Sequence, residues 1–153
     1  MSRTVKLDRR TAAVLLVDVQ ERLTPAMPPE ALARVVKYAT ALVEGAKVLG
    51  VPVLATEQYP KGLGATLPEL ARRLPSPALA KVHFSCGADP AFAAALEATG
   101  RRQVVITGME THVCVFQTTR DLVQMGYGVH VGADAVSSRT EEQASSLEET
   151  ASS

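Results

Sequence analysis

Five short, almost wholly apolar runs recur along this chain, separated by stretches whose apolar residues repeat with helical spacing. The runs are "AAVLLVDVQ" at 12–20, "VPVLATEQ" at 51–58, "ALAKVHFS" at 78–85, "RQVVITG" at 102–108 and "YGVHVGADA" at 127–135. A strand with one solvated face alternates polar and apolar residues, whereas an uninterrupted run of branched side chains reads as a strand covered on both faces. The third run is the weakest of the five, because alanine is a poor strand former. Between the first two lies "PPEALARVVKYATALVEGAKVLG", where Leu32, Val35, Val36, Ala39, Leu42 and Val43 keep helical spacing. Pro29 suits its first turn and Gly50 its end. "YPKGLGATLPEL" is rich in turn residues and leads into a short helix ending near Pro75. "DPAFAAALEATG" reads as a helix capped by Asp89, with Pro90 at its first position and Gly100 past its end. "THVCVFQTTRDLVQMG" forms the next helix. Alternating β and α elements of this kind predict an α/β fold, a parallel sheet with helices on both faces.

The length of 153 residues suits one compact domain, and 46% hydrophobic residues supply its core. Residues 1–140 are expected to form that domain. The remainder, 141–153, is expected to be a polar tail, because "SSRTEEQASSLEETASS" offers no apolar stripe to bury. Sixteen basic and 16 acidic side chains are interspersed to a net charge of zero, which gives no electrostatic footprint for nucleic acid or an anionic membrane. No apolar run approaches the roughly 20 residues of a membrane span. The basic start followed by a short apolar run lacks a small-residue cleavage site and does not read as a signal peptide. Two cysteines without CxxC spacing argue against zinc ribbons and disulfide scaffolds. The expectation is a reduced, cytoplasmic protein.

In an open parallel sheet, ligands bind beyond the carboxyl ends of the strands. Three reactive side chains are candidates there. Asp18 closes the first run, where a charge is costly unless paired or solvated. Lys81 lies inside "ALAKVHF", and a lysine in a central strand is rarely buried without a partner. Cys114 follows the fourth strand by the short turn "GMETHV". A helix starting near Thr111 would put its thiol in the first turn, where the helix dipole and a nearby lysine lower its pKa. Each has an ordinary alternative: a loop carboxylate, an edge-strand lysine reaching solvent, a packed core cysteine. Together they supply a base, a cation and a nucleophile from strands that can meet at one sheet edge. The three histidines, His83, His112 and His130, show no pair with metal-ligand spacing. Cys86, near the turn "SCGAD", reads as structural or incidental.

Three blocks resemble the isochorismatase-like cysteine hydrolase superfamily: "LLVDVQERL", "KVHFSC" and "ITGMETHVCVFQTTRDLVQMGYGVHVGADAVSSR". "ATEQYPKGLGAT" resembles the second loop of its isochorismatase domain-containing branch, and the resemblance spans residues 11 to about 140. It implies a three-layer α/β/α sandwich of Rossmann-like kind around a central parallel sheet. It also implies a catalytic triad of Asp18, Lys81 and Cys114, a cis peptide at Met109–Glu110, and an oxyanion hole from the amides of Glu110 and Cys114. Tyr59, Phe84, Glu110, His112 and Phe116 are the implied pocket-lining residues.

Metal-dependent nicotinamidases of the superfamily carry an Asp-x-His motif after the second strand. "TEQYPKGLG" has neither residue, so no metal or other cofactor is expected. Isochorismatases proper do not use the cysteine as nucleophile, so Cys114 favours acyl chemistry. The implied function is that of a metal-free cysteine hydrolase of the amidohydrolase type, cleaving a small amide or ureido C–N bond through a thioester. The alternatives are a non-catalytic scaffold with a vestigial triad and a thiol redox sensor. The family continues after "DAVSSR" with an amphipathic helix and a final strand, which "TEEQASSLEETASS" does not match. Either the sheet is one strand shorter or a partner subunit covers the exposed edge, and a homo-oligomer, a dimer or tetramer, is expected.

Overall fold

The computed structural model describes residues 8–81, 89–108 and 115–136, with the side chains of 132–136 excepted. Five parallel strands form the sheet among these residues: β1 (Ala12–Val17), β2 (Val53–Gln58), β3 (Leu79–Lys81), β4 (Gln103–Gly108) and β5 (Gly128–Val136). Their spatial order is β3-β2-β1-β4-β5. The chain therefore starts in the middle, winds outward through β2 to β3, and returns to the other side of β1 as β4. The crevice at the carboxyl ends of β1 and β4 is the topological switch point, where such sheets bind ligands.

The connecting helices fall on two faces, as the apolar spacing requires. Helix α1 (Pro29–Leu49) starts with proline and ends at Gly50, whose φ of 71° suits a residue without Cβ. The Gly50 and Val51 N–H groups return to the Lys47 and Ala46 carbonyls at 3.3 and 2.8 Å. Where a short helix ending near Pro75 was expected, the structure has two single turns, α2 (Pro60–Leu63) and α3 (Pro68–Ala71), each opened by proline. Helix α4 (Pro90–Ala98) is capped as expected, Asp89 accepting from the Ala91 and Phe92 amides. Helix α5 (Phe116–Gln124) follows β4.

All six residues of β1 are buried, and successive ones feed opposite cores. Ala13, Leu15 and Val17 pack with Val104, Ile106, Val129 and Val131 beneath Phe92, Leu96 and Leu122 of α4 and α5. Leu16 packs on the other face with Val35 and Ala39 of α1 and Leu70 of α3, while Val14 meets Val43 and Ala46. The molecule is thus a three-layer α/β/α sandwich. Each fully buried Leu, Ile or Phe contributes about 1.5–3 kcal/mol, so these cores dominate the stability. Among the described residues, no helix is long and apolar enough to cross a membrane.

One glycine in the sheet is required by close approach. Gly108 is the register partner of Val17. A Cβ there would collide with the Val17 carbonyl oxygen and lie 3.0 Å from Val17 Cβ. Gly108→Ala is expected to cost about 1–3 kcal/mol or more, since backbone rather than a flexible side chain must yield. Urea denaturation checks this, and an unchanged midpoint would show that the strands separate freely at their carboxyl ends.

Candidate active site

Beyond Val17 the chain leaves the sheet. Asp18 takes a φ of 53°, a left-handed conformation that short polar residues tolerate better than most. The Asp18 N–H still donates to the Thr56 carbonyl at 3.1 Å. Its carboxylate is fully buried, and each oxygen has a partner. The Thr56 hydroxyl donates to Oδ1 at 2.8 Å, and the Lys81 ammonium donates to Oδ2 at 3.0 Å. Two of the three predicted catalytic residues are therefore brought together as a buried ion pair.

The route by which they meet differs from the expectation that their strands could be neighbours. Strand β2 separates β1 from β3. Strand β3 is an edge strand among the described residues, which is where a lysine could be expected to turn outward. Instead Lys81 is only 3% exposed. Its long side chain spans β2, and it is held there by a second bond, to Gln58 Oε1 at 2.8 Å. Edge position did not decide the direction of the side chain. Lys81 is the register partner of Gln58, so the two side chains project from the same face of the sheet.

Tyr59 follows at once, with a φ of 38°. Its N–H donates to the Lys81 carbonyl at 2.8 Å. Its ring lies over Gly62, where an added Cβ would sit 2.5 Å from Cε2. The ring is thus fixed yet 55% exposed, at the rim of a cleft of about 390 Å³. Pro60, Lys61, Ala80, Lys81 and Asp89 line the same cleft. Phe116, partly exposed at the start of α5, is not among the described residues of this cleft.

Phe84, Glu110, His112 and Cys114 lie outside the described residues, as do Cys86, His83, the Met109–Glu110 peptide and the tail. What is described is where the segment carrying Cys114 departs: Gly108, its last described residue before the turn, pairs with Val17 beside Asp18. His130 is half-buried on β5, between the buried Val129 and Val131.

Three residues at the site escaped the sequence reading: Gln20, Thr56 and Gln58. For Thr56 and Gln58 the signal was the polar end of "VPVLATEQ", an odd finish for a run read as buried on both faces, whereas Gln20 gave none. Gln20 is fully buried and chemically saturated. Its Oε1 accepts the Gln58 N–H at 2.7 Å, and its Nε2 donates to the Gln58 and Gly64 carbonyls at 3.0 and 2.8 Å.

Comparison with known proteins agrees with this fold. The family model described as "Isochorismatase domain" matches residues 12–152. Isochorismatase domain-containing protein 1 of Danio rerio is 40% identical over 134 residues, 88% of this chain and 47% of the relative. The chain thus spans about half the length of that relative. Among solved structures, the MAR1 ribonuclease from Caenorhabditis elegans superimposes with a TM-score of 0.86 at 34% identity, covering 96% of this chain and 77% of that one. The YcaC gene product from Escherichia coli, an octameric hydrolase of unknown specificity, gives a TM-score of 0.87 at 30% identity, over 99% and 76% of the two chains. With a family model matched over most of its residues, and relatives that share both sequence and sheet, the chain belongs to the isochorismatase family.

Proposed function

We propose that this chain carries the site of a cysteine hydrolase acting on a small amide, ureido or related carbonyl compound. The observation that carries the reading is the buried Asp18–Lys81 pair at the carboxyl end of the sheet, beside an open cleft. A buried ion pair is a poor way to gain stability, since desolvation offsets most of the attraction. Placed at a switch point, it has the two charges that a thiol nucleophile needs, a base and a cation.

In this mechanism Asp18 takes the proton of the Cys114 thiol while Lys81 holds the thiolate. The sulfur attacks the carbonyl carbon, and the amides of Glu110 and Cys114 hold the resulting oxyanion, at about 3 kcal/mol per donor. As the C–N bond breaks, Asp18 returns its proton to the leaving amine. Water then hydrolyses the thioester, releasing the acid and regenerating the thiol. The family's hydrolase members support hydrolysis as the reaction class. The balanced charge of the chain supports a small molecule over the RNA implied by the name of the ribonuclease neighbour. The octameric neighbour supports a homo-oligomer, which sedimentation would test: a monomer at micromolar concentration overturns it.

The deciding experiment is a screen of small amides, ureido compounds and single-stranded RNA with wild type and Cys114→Ser in parallel. Turnover of a C–N substrate by wild type alone supports the reading. Turnover that survives Cys114→Ser, or is confined to RNA, overturns it. Chelation by EDTA is expected to leave turnover unchanged, and loss of activity with recovery on adding zinc would show that the loop after β2 had been misread.

A further inference from the structure

Gln58 ends β2 with an 8% exposed carboxamide that the hydrolytic scheme does not use. Its Oε1 accepts from the Lys81 ammonium at 2.8 Å, while Asp18 Oδ2 accepts from the same nitrogen at 3.0 Å. Among the described residues, two oxygens of unlike charge therefore hold Lys81, one anionic and one neutral. A second glutamine fixes the first. Where β1 turns away at Asp18, the backbone of Gln58 loses its neighbour on that side. The Gln20 carboxamide takes that place, accepting the Gln58 N–H at 2.7 Å and donating to its carbonyl at 3.0 Å. A side-chain amide has the donor and acceptor of a peptide group, so it extends the sheet ladder by one rung.

We propose that Gln58 is a positioning residue for Lys81, and that its neutrality is functional. It anchors the ammonium without adding a second negative charge, so once Asp18 has taken the thiol proton the positive charge of Lys81 is left for the Cys114 thiolate. This rests on the hydrolase reading above. The other charged or titratable groups among the described residues of the cleft are placed differently. Tyr59 and Lys61 come from the segment after β2, and Asp89 Oδ1 is occupied by the Ala91 and Phe92 amides at 3.0 and 3.2 Å. Glu57 accepts from the Thr66 amide and hydroxyl instead, at 2.7 and 2.8 Å. A carboxylate at position 58 would neutralise the ammonium twice, whereas a thioether would leave it one anchor short.

The test uses the full chain with Cys86→Ser, which leaves Cys114 as the one remaining thiol of the two in the sequence. The rate of iodoacetamide alkylation is followed against pH for this parent, for Gln58→Glu and for Gln58→Met, with a thermal melt of each to establish folding. The parent is expected to titrate well below the ~8.5 of an ordinary thiol. Gln58→Glu is expected to raise the midpoint by about one unit or more, slowing alkylation at pH 6 about tenfold. Gln58→Met should move it the same way by less, and it carries the test alone if the charged variant does not fold. A low parent midpoint that folded variants leave in place overturns the role of Gln58 and leaves the hydrolase reading standing. A parent midpoint near ~8.5 overturns both. Failure of both variants to fold would make Gln58 a purely structural residue and overturn the proposal.

Discussion

Replacing Lys81 by methionine is expected to destabilise the protein by about 3–5 kcal/mol, although methionine fills much of the same volume. The loss comes from what is left behind. Asp18 is fully buried, and without the ammonium at 3.0 Å its charge would keep only the Thr56 hydroxyl at 2.8 Å among the bonds described here. The same reasoning applies in reverse to Asp18→Asn, which leaves a buried ammonium beside two neutral amides. The double variant should cost markedly less than the sum of the singles, because removing both charges also removes the desolvation each suffers. A double-mutant cycle by urea denaturation measures this coupling. Singles costing under ~1 kcal/mol each, and adding simply, would mean that water screens the pair as it does a surface salt bridge.

Asp18→Asn is also expected to slow hydrolysis by about 10²–10⁴-fold, the range for removing a positioned general base. Asparagine keeps the shape and the hydrogen bond from Thr56, but it cannot take a thiol proton or return one to an amine. The loss should therefore appear in the turnover number more than in KM. Activity is best measured at temperatures where the variant is folded, so that the stability loss is not counted as lost chemistry. Single-turnover kinetics separate the rivals. Wild type that turns over no carbonyl substrate points to a scaffold. Thiol oxidation by peroxide that proceeds with no hydrolysis points to a redox sensor. A variant that hydrolyses as fast as wild type would remove Asp18 from the mechanism altogether.

Much of this molecule was legible before any coordinates. Unbroken apolar runs alternating with helical spacing can bury their surface in few ways, and those residues form parallel strands between two helical layers. Capping was equally local. Asp89 and Pro90 start α4, and Gly50 ends α1, because backbone groups at helix ends must be satisfied by nearby residues. The short segments between Tyr59 and Pro75 were less legible, since single helical turns opened by proline have no periodicity to read. Asp18 and Lys81 stood out for one physical reason: a charge inside an apolar run demands a partner.

That they partner each other was decided only in three dimensions. Sequence alone allowed Lys81 to point outward from an edge strand, and the edge position is real. The side chain turns inward because Gln58 shares its register and an otherwise uncompensated carboxylate lies across β2. Gln20 shows the same division more sharply. Nothing in "DVQE" says that a glutamine will complete a neighbouring strand's ladder, since the bond joins residues 38 positions apart. Composition and periodicity determined which segments are buried, because burial depends on the residues within each segment. Tertiary structure decided which buried polar groups satisfy one another, because that depends on strand order and register, which no single segment encodes.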